Sequence, residues 1–330
     1  MPEFKKRLPT TQAGDDAGVS GGAGAGPHLA LVAVQLFFGT WPIVGKVGLR
    51  SLPSTGLVAL RVGGAALALY VLRSIVGGVP IRRRRDFAHI FLYSLLGVVL
   101  NQFLFVKGLS LSTAVNATVL GTAIPVFALL VSVALGSERL TPRKAVGTLI
   151  AAAGVVWLVD PFRADFAGDK TLGNILLVAN TLAYGAYIAI SQDMFRRYGA
   201  LTVITWVFVF GSILAVPLGG FYLAQVPLAE LDLSVWLAIA YIILVPTVGA
   251  YYLNAWALAR VAPSTVAAYI YLQPLIAFAI APLVLGAEEF GGVRTLLAAL
   301  LIFSGVALVT LAPASKASET LSEHPDAIGH

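Results

Sequence analysis

The sequence predicts an all-α membrane protein of ten transmembrane helices, arranged as two inverted five-helix repeats. Three observations carry that expectation. Apolar residues make up 58% of the 330 and charged residues only 12%, against about 45–50% and about 25% in soluble domains. A water-facing surface of this size would lack ionic groups. The apolar residues also fall in ten runs near the length that crosses a bilayer, and the first five runs can be laid on the second five.

A membrane helix needs about 20 mostly apolar residues. Such runs cover 28–49, 55–75, 87–108, 113–136, 144–160, 172–191, 201–223, 234–258, 263–286 and 293–312, the fifth being the shortest. Residues 1–27 carry Lys5, Lys6 and Arg7, then a Gly/Ala/Ser-rich stretch to Gly26, and read as a disordered cytoplasmic tail. No apolar run directly follows the basic cluster, as a cleaved signal peptide requires. Residues 313–330 are polar and read as a second disordered cytoplasmic tail.

An even number of spans puts both termini on one side. With that side cytoplasmic, the inner loops and tails hold 14 of the 22 basic residues, including Arg82, Arg83, Arg84, Arg85, Arg139, Arg143, Lys144, Arg196, Arg197 and Arg260. The outer loops hold 4, namely Arg50, Arg163, Lys170 and Arg294. This is the positive-inside distribution, and losing or merging one span would destroy it. The net charge of +6 is therefore a membrane pattern. The expected partners are a lipid bilayer and a small-molecule substrate, with no nucleic acid and a monomer as the working unit. Cysteine is absent, which excludes disulfides, thiolate nucleophiles and Cys-ligated metals. No cofactor or metal is expected.

The repeat rests on three ordered matches. SVALGSE at 132–138 lies on PLVLGAE at 282–288, each after a helix with a proline, Pro125 and Pro274. Phe38-Gly39-Thr40-Trp41 lies on Tyr184-Gly185-Ala186-Tyr187, and Asn101 and Lys107 lie on Asn254 and Arg260. Five helices per half is odd, so the second copy enters the membrane upside down. Inverted repeats of this kind are common among secondary transporters. The first repeat occupies 28–160 and the second 172–312.

The runs FGTWPIVGKVGL, ALRVGGAALAL, NQFLFVKGLSLSTA and PVFALLVSVALGSERLTPRKAVGTLIAAAGVVWL resemble one EamA repeat. GNILLVANTLAYGAYIAISQDMFRRYGAL and PSTVAAYIYLQPLIAFAIAPLVLGAEE resemble its second copy. This is the pattern of the drug/metabolite transporter superfamily, and the resemblance covers roughly 28–312. It implies ten helices in two inverted repeats around a central cavity, in a bacterial-type inner membrane. It also implies movement of amino acids, other metabolites, nucleotide sugars or drugs, often as export. Pro42 replaces the small polar residue common in the first helix, which leaves the shape of that helix open.

Several residues are candidates for solute contact. Lys46 and Arg61 fall in the outer thirds of their spans. A charge at that depth pairs, snorkels to the headgroups or serves a pathway. Lys46 is balanced between an anion-attracting vestibule and snorkelling; Arg61, nearer its helix end, leans to snorkelling. All 16 acidic residues fall in tails, loops or span ends, so a buried Glu relay for proton exchange is not expected. Glu138 and Glu288 recur at matched positions beside loops.

Pro42, Pro125, Pro246 and Pro274 each free the carbonyl four residues earlier, those of Phe38, Gly121, Ile242 and Ile270. Pro125 and Pro274 match between halves and are the expected hinges, a static kink being the other reading. Polar and aromatic residues deep in the spans either line a cavity or bond helix to helix. Trp41, Lys46, Asn101, Tyr184, Tyr187, Asn254, Tyr269 and Gln273 are the expected substrate-binding set. His28, His89, His324 and His330 lie in tails or near a helix start, so no nucleophile–base pair or metal cluster is in view and an enzyme is disfavoured. The expectation is export or exchange of small zwitterionic or anionic metabolites, amino acids first. Efflux of apolar drugs is the second choice and a receptor or scaffold the non-transport one.

Overall fold

The computed structural model describes residues 25–136, 139–159, 169–258, 269–270 and 272–310. Both expected tails up to residue 24 and from 311 lie outside the described residues, as do Glu138, Asp160, Arg163, Asp165 and Arg260. Every regular element among the described residues is helical. In chain order they are α1 Ala25–Leu49, α2 Ser54–Val76, α3 Arg84–Leu111, α4 Ala114–Ala134, α5 Pro142–Val159, α6 Asp169–Tyr198 and α7 Ala200–Leu223. Then follow α8 at 233–258, α9 Leu272–Leu285 and α10 Gly292–Thr310. Eight helices among the described residues are long and apolar enough to cross a membrane. α5 has 18 residues and the described part of α9 has 14. α1 begins at Ala25, three residues before the expected start.

The outer surface of the bundle is apolar and the interior holds its polar groups. Leu283 is 85% exposed and Ile75 78%, whereas Gln35, Gln102, Asn116, Asn174, Asn180 and Thr247 are buried. That inversion suits a hydrocarbon solvent, which can neither hydrogen-bond an amide nor penalise an exposed leucine.

Packing relates the first five helices to the last five. α2 lies on α7 and α5 on α10; α3 and α4 lie on α6, as α8 and α9 lie on α1. Adding five to each helix number, and counting round from ten to one, converts the α3–α6 and α4–α6 pairs into α8–α1 and α9–α1 and returns α2–α7 and α5–α10 to themselves. The directions are opposed as well. α3 runs beside α1 in the same sense, with Trp41 stacked on Phe105 and a Cβ at Gly45 touching Leu109. α8 runs against α1: Gly26 faces Trp256, and Thr40 bonds the Tyr241 hydroxyl at 2.6 Å.

α3 and α8 share an irregularity. Each widens into one π-helical stretch, Leu95–Leu100 in α3 and Leu244–Gly249 in α8. In α8 the cause is visible. Pro246 has no N–H and leaves the Ile242 carbonyl free, and the Thr247 hydroxyl donates to that carbonyl at 2.8 Å. α4 and α9 also match. α4 breaks into a turn at Thr122 and Ala123, so Pro125 falls in the first turn of the segment Ile124–Ala134. Ile270 is in a turn and Pro274 is the third residue of α9. A proline in a first helical turn sacrifices no helical bond. Both prolines therefore follow breaks in their helices rather than kinking a continuous one.

Two ends of the bundle can be told apart. At one, Glu289, in the 3-10 turn Ala287–Phe290 before α10, meets the C-terminal turn of α1 and the start of α4. At the other, Asp86 in the first turn of α3 accepts from Tyr198 at 2.6 Å and from Arg197 at 3.2 Å, tying α3 to the last turn of α6. α3 joins the two ends with 28 residues, about 42 Å of helix.

The α5–α10 contact depends on glycine. A Cβ at Gly154 would lie 2.9 Å from the Ile302 backbone nitrogen, while one at Gly121 would meet nothing within 4 Å. Overpacking typically costs about 1–3 kcal/mol. Gly154→Val should therefore lower the melting temperature of the purified protein by several degrees, and Gly121→Ala should not. Equal melting temperatures for the two variants in a fluorescence scan would refute the close α5–α10 contact.

Candidate functional site

A cavity of about 640 Å³ lies inside the bundle, within the range of about 300–1,000 Å³ usual for small-molecule sites. Both sets of five helices line it. Trp41 and Pro42 come from α1, Arg61 from α2, Asn101, Gln102 and Phe105 from α3, and Thr118 and Pro125 from α4. Asn180 and Tyr184 come from α6, Tyr251 and Asn254 from α8, and Gln273 from α9. It runs along α4 as far as Ser132 and reaches Lys144, in the first turn of α5. It thus extends from mid-bundle towards the Asp86 end.

The centre of the site is Arg61. It is 3% exposed, although its position eight residues into α2 suggested a side chain reaching for headgroups. Its Nε donates to Thr247 Oγ1 at 3.0 Å, and its Nη1 donates to Gln102 Oε1. Both acceptors owe their placement to the π stretches. Thr247 lies within that of α8, and Gln102 follows that of α3 by two residues. The guanidinium carbon also sits 4.1 Å above the Trp41 ring centroid, and Trp41 in turn stacks on Phe105. A cation over an indole face is stabilised by the ring quadrupole. Among the described residues no carboxylate pairs with Arg61, and none lines the cavity.

Amides extend the network. Gln102 Nε2 donates to Asn101 Oδ1 at 3.1 Å, Asn180 Nδ2 donates to the Asn101 carbonyl at 2.8 Å, and Gln273 Nε2 donates to Gln35 Oε1 at 2.7 Å. Tyr184 and Tyr251 also line the cavity, beside Arg61.

Of the expected set, Trp41, Asn101, Tyr184, Asn254 and Gln273 line the cavity, as does Pro125. The others lie elsewhere. Tyr187 is behind Tyr184, with ring centroids 5.6 Å apart, filling the space left by Gly97. The Tyr269 hydroxyl bonds His28 Nδ1 at 2.8 Å, and Tyr269 does not line the cavity. Pro274 is buried next to Gln273. Lys46 does not line the cavity; its Nζ is 3.1 Å from Glu289 Oε1.

Glu289 is the acidic residue that loop position concealed. It is 5% exposed, and its second oxygen accepts from the Ala114 backbone N–H at 2.6 Å. That N–H opens α4, where a helix leaves donors without intrahelical partners and favours negative charge. One carboxylate therefore joins α1, α4 and the start of α10 beyond the cavity. Nearby, Asn174 of α6 accepts from Ser112 and, at 3.2 Å, from Asn116 of α4. Polar contacts thus close the Glu289 end of the bundle.

A family model described as "EamA-like transporter family" matches residues 26–160 and again residues 171–311. An uncharacterized transporter of Archaeoglobus fulgidus is 27% identical over 249 residues, covering 75% of this chain and 85% of that protein. The uncharacterized transporter YetK of Bacillus subtilis is 24% identical, covering 69% and 70%, and a WAT1-related protein of Arabidopsis thaliana is 26% identical, covering 67% of each. A solved crystal structure superposes with a TM-score of 0.58 at 19% identity, covering 86% of this chain and 96% of that one. That likeness establishes the fold alone.

The closed end gives a direct test, since the chain has no cysteine of its own. In a Thr118→Cys background, Glu289→Gln should raise the rate of labelling by a membrane-impermeant maleimide added from the Glu289 side several-fold. An unchanged rate would mean that the Lys46–Glu289 contact does not seal the cavity.

Proposed function

We propose that this chain, which belongs to the EamA-like transporter family, is a secondary transporter that carries a small amino-acid-like metabolite through its central cavity by alternating access, as export or exchange. As a member of that family it is a multi-pass membrane protein and a transporter, not an enzyme.

The observation that carries the reading is the cavity. It lies at mid-bundle, is lined from both sets of five helices, and is sized for a metabolite. Ten spans in two inverted repeats are supported by the double family match, by paired helix contacts and by matched π stretches in oppositely directed helices. The loop charges support a cytoplasmic membrane with both termini inside. On that orientation the Asp86 end is cytoplasmic, so the cavity faces the compartment from which an exporter loads. A monomer is sufficient, because one chain supplies both walls.

The described lining has no acidic side chain to serve as a proton relay. Exchange or facilitated efflux therefore fits better than carboxylate-driven proton antiport. The aromatic and aliphatic lining, with Phe38, Phe105, Ile124, Leu129 and Ile188, favours efflux of apolar compounds as the second reading.

Proteoliposomes preloaded with single amino acids, amines or apolar dyes, with and without an imposed pH gradient, distinguish these readings. Counterflow of amino acids that the gradient changes less than twofold is the expected result. Accumulation of dyes alone, or uptake that requires the gradient, would overturn it.

A further inference from the structure

We propose that Arg61 is the anchor for a single carboxylate on the transported solute, and that this anchor selects monoanionic and zwitterionic solutes with apolar side chains. The proposal deepens the transport reading and rests on it for the word "transported" alone; the binding site itself stands on the geometry.

The first argument is charge balance. A fully buried cation is costly in a low-dielectric interior unless something compensates it. Arg61 has hydrogen bonds to two neutral acceptors and an indole beneath it, but no carboxylate among the described residues in reach. A guanidinium carries five N–H donors. Two are engaged by Thr247 and Gln102, which leaves three for a group in the cavity. A solute carboxylate supplies the missing charge and accepts two of those donors in a planar fork.

The second argument concerns charge number. One buried guanidinium balances one negative charge. The other cation of the lining, Lys144, lies at the far end, in the first turn of α5. A phosphate monoester carries about 1.5 to 2 negative charges at neutral pH, and about a third to a half of that would be left uncompensated beside Trp41. A carboxylate is the matching group.

The third argument concerns what surrounds the anchor. Trp41 is committed below the guanidinium, so the solute approaches from the side bearing the Tyr184 and Tyr251 hydroxyls. These can donate to the second lone pairs of a carboxylate. An ammonium on the same solute finds the amide oxygens and aromatic faces of the lining instead of an acid, so it is tolerated but not required. An amine without a carboxylate faces an uncompensated like charge and is rejected.

The test uses the purified full-length protein in nanodiscs and in proteoliposomes. The probes are leucine and phenylalanine, each with its amide and its decarboxylated amine. Wild type should bind and exchange the two acids and discriminate against their amides and amines by about 30-fold or more, as expected for a buried charge left without its partner. Arg61→Gln should lose that preference while still binding the uncharged competitor hexanol as well as wild type does. Arg61→Lys, which keeps the charge without the fork, should fall in between.

If Arg61→Gln fails to fold, wild-type discrimination between acid and amide still decides the matter. Equal affinity for acid, amide and amine, or no binding of either acid, overturns the anchor. Arg61-dependent binding of the acids without exchange in proteoliposomes sustains the anchor and overturns the transport reading. Exchange of all six probes at equal rates does the reverse.

Discussion

The structure is organised around a buried guanidinium that must be solvated by protein. Regular helices offer nothing to a cation, because their carbonyls are already taken. The interior meets the need by making two helices irregular. Pro246 frees the Ile242 carbonyl, the Thr247 hydroxyl turns back to occupy it, and the same hydroxyl then accepts from Arg61. On the opposite side, the π stretch of α3 shifts the register of the residues after it. Asn101 and Gln102 thereby both face the cavity, and Gln102 accepts from Arg61. Arg61 is thus held between a residue of the first five helices and one of the last five.

The two ends of the bundle obey a different rule from its middle. At each end, charges are paired and the pairs also cap or tie helices. Glu289 takes both Lys46 and the leading N–H of α4; Asp86 takes both Tyr198 and Arg197. An ion pair with additional hydrogen bonds offsets its own desolvation, whereas a pair alone at depth often does not. In the middle, Arg61 is held by one amide, one hydroxyl and an indole. Glu289 and Asp86 are therefore satisfied within the chain, whereas Arg61 in the middle is left with donors facing open space.

Much of this was legible in the sequence, and the failures share a cause. Apolar run length and loop charge locate helices because lipid acts on each helix separately. Five of the eight expected binding residues line the cavity for a similar reason: an amide or an aromatic deep in an apolar span has few places to go. Arg61 was placed at the headgroups because its depth was read along its own helix. Its actual depth is set by neighbours. Gly63 and Gly64 let Val216 and Ile243 come so close that a Cβ at either position would clash, which turns this stretch of α2 inwards. A glycine pair two residues after an arginine was the available signal. Glu289 escaped because a loop assignment says nothing about a turn folded back over a helix start 175 residues away. The π stretches leave only one mark in sequence, Pro246, and none in α3.

The arrangement also limits how the Glu289 end can open. Withdrawing Glu289 from both of its partners strands three groups at once: an ammonium, a carboxylate and the Ala114 N–H at the head of α4. Leaving a buried charged partner unpaired is far more costly than losing an exposed pair. Opening is therefore favourable only if water reaches all three together, which requires α1, α4 and the α10 turn to move apart as one event rather than in sequence. A gate of that kind is either closed or hydrated, with little between. Because Arg61 bonds to one π stretch and to a residue beside the other, a group that binds its free donors acts at the place where the two sets of helices meet. Any solute that binds differently in the two arrangements shifts the balance between them by that difference and no more.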